Sequence, residues 1–143
     1  MQSKWLVARI NIPPVGFKAR TQADGLRRMG VETSESAMPG NAAYNLREND
    51  GDTPVEVVFL TENSKNLDLV SISPNGQSFI LEHWDGGRNA NNIGDRRHTF
   101  VRPGQGAPYE YLGDYSIAAL FQRNVETGEK NVVETIALWE RKA

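Results

Sequence analysis

The chain contains no cysteine among its 143 residues. That excludes a disulfide framework and any thiolate metal site. It also makes the cytoplasm the expected compartment. No apolar run approaches the roughly 18 residues that a membrane span needs. The opening Met1-Gln2-Ser3-Lys4-Trp5 lacks the layout of a signal peptide, so no membrane partner is expected. A surplus of positive charge is missing too. Sixteen Lys and Arg stand against 18 Asp and Glu, a formal net charge of −2. Binding nucleic acid through bulk charge is therefore disfavoured. There is no glycine-rich phosphate loop ending in lysine and no Gly-x-Ser-x-Gly nucleophile elbow. No catalytic residue and no cofactor are expected on these grounds.

What is present is a chain of single-domain length. It has 38% hydrophobic and 24% charged residues, enough to bury a core unaided. β-forming runs recur between turn residues, at 5–12, 54–61, 67–72, 77–84, 97–102, 109–121 and 132–139. In the first run Leu6, Ala8, Ile10 and Ile12 form the apolar face, and Pro13-Pro14 ends it. In the last, Val133, Thr135, Ala137 and Trp139 alternate. The run 54–61 has the composition of a central strand. Gly113 marks a bulge in the run from Tyr109. Residues 22–29 predict a short helix with Thr21 as N-cap, Gly30 beyond its end, and Leu26 and Met29 inward. Residues 42–47 fit a helical turn or a short strand. Turns or loops are expected at 33–41, 48–52, 63–66, 73–76 and 86–97. These readings predict a mainly β fold over 1–143: a single-domain open barrel or sandwich of about seven short strands with one or two short helices.

Polar chemistry concentrates between His83 and Tyr115, which holds both histidines. Loops framed by strands are where such chemistry usually sits. Arginine forks suit phosphates and base edges. Arg88, Arg96, Arg97 and Arg102 are therefore candidate contacts, and Arg20, Arg27 and Arg28 extend the basic face. Trp84 is a candidate stacking residue. Asn89, Asn91 and Asn92 sit on a glycine-flanked loop with reach into a groove. Tyr109 and Tyr111 share a face that suits the core better than recognition. His83, Asp85, Asp95 and His98 are the metal-capable set. They match no ligand spacing, and solvent-facing or hydrogen-bonding histidines are the simpler expectation.

The phrase His98-Thr99-Phe100-Val101-Arg102, a Gly/Pro gap, then Tyr109-Glu110-Tyr111-Leu112-Gly113-Asp114-Tyr115 resembles one in small β-rich domains. These are domains appended to restriction-type helicases and HNH-type nucleases. The closing run 132–139 is similar to that family's last strand, so the resemblance covers the final third to half of the chain. It implies a DNA-associated β module that inspects duplex or modified DNA for a partner nuclease. The leading expectation is thus a non-catalytic nucleic-acid recognition module linked to restriction or phage defence. One alternative is a protein-interaction or assembly domain of such a system, a homo-oligomer included, using the acidic segment 48–62. Another is a small metal-dependent nuclease or hydrolase built on the His/Asp set.

Overall fold

Thr21 opens the only helix among the described residues, and the way that helix ends fixes the first part of the fold. A computed structural model describes residues 4–32, 43–48, 53–62, 67–72, 76–85, 93–127 and 130–142. The turns and loops expected at 33–41 and 63–66, and most of those at 48–52, 73–76 and 86–97, lie outside these residues. The chain divides into two compact units, Met1–Thr61 with Arg97–Asp114, and Glu62–Arg96 with Tyr115–Ala143.

The first unit holds β1 (Lys4–Val7), β2 (Lys18–Ala19), α1 (Gln22–Arg28), β3 (Ala43–Glu48) and β4 (Val55–Thr61). It also holds nearly all of β7 (Arg96–Arg102) and the start of β8 (Tyr109–Thr127). Its ladder begins at edge strand β1 and runs β1-β3-β4-β7-β8, with β2 on β8. β1 is parallel to β3, and β4 is parallel to β7 from Val57↔His98 to Thr61↔Arg102. β4 is central, as its apolar run predicts. Residues 43–48 are a strand, antiparallel to β4.

The helix is α1 as expected. Thr21 Oγ1 accepts the Asp24 N–H at 3.1 Å. Leu26 and Met29 are fully buried. At its end the Gly30 N–H donates to the Arg27 carbonyl and the Val31 N–H to the Leu26 carbonyl, each at 3.0 Å. That pair of bonds is a Schellman cap, which requires the positive φ of 109° that Gly30 adopts. Gly25 sits mid-helix, where glycine disfavours helix. Packing explains it: a Cβ there would lie 2.8 Å from the Phe59 ring. Thr21→Ala removes the N-cap acceptor and is expected to cost about 1 kcal/mol in denaturant unfolding. No change in midpoint would mean the cap contributes nothing.

The core of this unit includes Val7, Leu26, Met29, Tyr44, Leu46, Phe59, Phe100, Tyr109 and Tyr111. Phe59 stacks on Phe100 at 4.7 Å and meets Tyr44 and Tyr109 edge-on. Tyr109 and Tyr111 are core, as their shared face suggests. The expectation for the first strand is corrected. It ends at Val7, and Val7 is the buried residue, whereas Leu6 is 65% exposed and Ile12 46%. The reason is that the chain leaves the ladder early. The Ile10 N–H donates to a Glu48 carboxylate oxygen at 3.1 Å.

The second unit is antiparallel throughout, in the order β8-β9-β6-β5, with β9 (Lys130–Arg141), β6 (Ser78–Asp85) and β5 (Leu67–Ile72). The expected hairpin of β5 and β6 forms. The alternation in β9 is as read: Thr135, Ala137 and Trp139 are buried. β8 continues past Phe121 to Thr127. Its register shift against β9 falls between Ile117 and Ala119, while Gly113 adopts a positive φ of 125°. With nine strands and one short helix among the described residues, the fold is mainly β.

Two buried tyrosines make stability depend on alkaline pH. Burial pushes the Tyr44 hydroxyl above its ordinary value of 10, and Tyr109 adds to the rise. Burial also raises Tyr115, partly offset by its 2.6 Å hydrogen bond with Ser78 and by Arg141. Both groups ionise more readily in the unfolded chain. Their contribution is therefore fully present below the unfolded value of about 10 and is lost as pH rises above it. Denaturation midpoints should fall as pH rises above about 10, and fall less in Tyr44→Phe. An equal fall in both proteins would contradict the assignment to Tyr44.

Candidate nucleic-acid interface

The arginines expected at one surface do not share one environment. Arg88, Asn89, Asn91 and Asn92 lie outside the described residues. Trp84 is placed by its backbone, opposite Thr135 in the β6–β9 register. Arg96 is exposed at the head of β7 and belongs to the second unit. Arg97 departs from the expectation of a surface contact, for it is only 5% exposed. It falls in the same alternating row of β7 as Thr99 and Val101, both buried. A strand next to a core buries every second residue, and here one of those is an arginine.

The cations of the first unit are better placed. Residues 16–19 run antiparallel to the start of β8. The Gly16 N–H donates to the Tyr111 carbonyl and the Tyr111 N–H to the Phe17 carbonyl, both at 2.8 Å. Lys18 then stands opposite Glu110, and Ala19 opposite Tyr109. Ala19 is buried, while Lys18 and Arg20 on either side of it are exposed. Alternation on a strand therefore sends both cations outward. Arg28, on the last turn of α1, places its guanidinium carbon 5.6 Å from the Phe17 ring centroid. Arg102, at the end of β7, lies 4.7 Å from the centroid of Tyr109. Its Nε–H donates to Thr61 Oγ1 at 2.8 Å. Both separations are within the range of a cation–π contact. Arg27 is paired with Asp24.

The ladder of 16–19 with the start of β8 thus carries a basic edge: Arg28 lies over Phe17 and Arg102 over Tyr109, while exposed Lys18 and Arg20 project from the face opposite Phe17 and Ala19. Lys18 is the residue that sequence reasoning missed. Its signal was the alternation Phe17-Lys18-Ala19-Arg20, too short to be read as a strand. Each guanidinium lies over a ring face, which leaves terminal N–H groups of Arg28 and Arg102 for a ligand. Among the described residues, the terminal nitrogens of both groups meet no acceptor. The unit as a whole is neutral, with nine Lys and Arg against nine Asp and Glu. Any preference for anions is therefore local to this edge.

The histidines have other partners. His98 Nδ1 and the Tyr111 hydroxyl share a hydrogen bond at 2.7 Å, with the rings 6.0 Å apart. His83 lies on β6 opposite Ile136, in the other unit. The Asp95 carbonyl accepts the Ile117 N–H at 3.0 Å. Among the described residues no three His, Asp or Glu side chains are grouped to hold a metal. The phrase Glu140-Arg141-Lys142 spans the end of β9, and there a Glu140 carboxylate oxygen accepts from Gln77 Nε2 at 2.5 Å.

The Phe-Val-Arg and Tyr-x-Tyr-Leu-Gly phrases map mainly onto buried positions, with Phe100, Val101, Tyr109, Tyr111 and Leu112 all inside. Arg102 is their half-exposed member. No family model matches the chain, and no match was found to a curated protein or to a solved structure.

Proposed function

We propose that this chain is a non-catalytic nucleic-acid recognition module that binds through the basic edge of its first unit. The observation that carries the reading is the pair of guanidinium groups set on aromatic rings, Arg28 on Phe17 and Arg102 on Tyr109. Exposed Lys18 and Arg20 follow Phe17 on the segment whose Ala19 pairs with Tyr109. Planar forks held in this way lose little side-chain entropy when they take a phosphate. Two guanidinium groups backed by rings on one short ladder support a site more than a solvated surface does.

The test uses charge removal where packing is not disturbed. Lys18 and Arg20 are exposed, and their side chains make no hydrogen bond or ion pair with the described residues. Lys18→Ala with Arg20→Ala should leave the denaturation midpoint within about 0.5 kcal/mol of the parent. Affinity for a labelled DNA duplex at low salt should fall by about tenfold or more. A stable double variant that binds as the parent does would overturn the site. Absence of binding by the parent would overturn the function.

A further inference from the structure

We infer that the basic edge of the first unit grips the phosphodiester backbone and does not discriminate between bases. This rests on the nucleic-acid reading above and narrows its ligand. Sequence-tolerant stacking needs exposed aromatic faces. Among the described side chains of this unit, Tyr44, Phe59, Phe100, Tyr109 and Tyr111 are buried. Phe17 lies under Arg28. Base edges in the major groove are read by a helix or ribbon that enters it. β2 is two residues long and is hydrogen-bonded to β8. What the edge offers instead is spacing. Lys18 on β2 and Arg20 just past its end are two residues apart, a separation of about 7 Å where the chain is extended. Over that axial distance one DNA strand presents two phosphates.

The test is competition by the whole chain in fluorescence anisotropy, at low salt. The probes are labelled duplexes of AT-rich, GC-rich and base-modified sequence. The competitors are an unlabelled single strand and an abasic strand of the same length. The expected result is affinities within about twofold across the duplexes, and an abasic strand that competes as well as its base-bearing equivalent. Lys18→Ala with Arg20→Ala should weaken all probes by the same factor, as loss of phosphate contacts does. Binding with a tenfold preference among duplexes, or an abasic strand that fails to compete, overturns this inference while leaving nucleic-acid binding intact. No binding to any probe overturns both.

Discussion

Gly30→Ala is expected to destabilise the chain by on the order of 3 kcal/mol. Two costs combine. The residue holds φ at 109°, where an L side chain costs about 1–2 kcal/mol. The added Cβ would also lie 2.4 Å from the Arg9 carbonyl oxygen. That oxygen is backbone and cannot rotate away, so overpacking adds about 1–3 kcal/mol. Gly106→Ala separates the two costs. Its φ is 83°, but a Cβ there meets nothing within 4 Å, so only the conformational cost applies. Urea unfolding of both variants measures the difference through the midpoint. If Gly30→Ala is no worse than Gly106→Ala, the close approach of residues 9 and 30 is wrong.

Phe59→Ala is expected to cost about 3–5 kcal/mol. The ring stacks on Phe100, meets Tyr44 and Tyr109 edge-on, and bears on the helix at Gly25. Phe121→Ala, on a side chain 55% exposed, should change stability by no more than about 0.5 kcal/mol. The same geometry predicts a change of sign. In the parent, Gly25→Ala drives a Cβ into the Phe59 ring and destabilises. In the Phe59→Ala background that ring is gone, and the helix preference for alanine, about 1 kcal/mol, is released. A double-mutant cycle reads this coupling directly. Additive effects would contradict the packing of α1 on Phe59.

How much of this was legible before folding differs by residue. Thr21, Leu26, Met29 and Gly30 could be read because capping and helical periodicity are local. Thr135, Ala137 and Trp139 could be read because strict alternation along β9 survives in the packed strand. Val7 could not. The apolar face of 5–12 was assigned as though the strand continued, and a bond from Ile10 to Glu48, far away in sequence, ends it. Arg97 could not either, because its charge marks it for the surface while the pleat of β7 turns it inward. The candidate site was only partly legible. Arg28 and Arg102 were visible as charges, but their rings are matched to them by the placing of β8 beside β7 and by the return of 16–19 along β8. Neither contact leaves a mark in local sequence.

The most direct test of the phosphate-binding edge is the salt dependence of DNA affinity, parent against Lys18→Ala with Arg20→Ala. Each phosphate contact releases counterions and contributes close to one unit to the slope of log affinity against log salt. Binding by the parent should weaken steeply with salt, and the double variant should lose about two units of slope. An unchanged slope in a folded double variant, or binding indifferent to salt in the parent, would contradict the account.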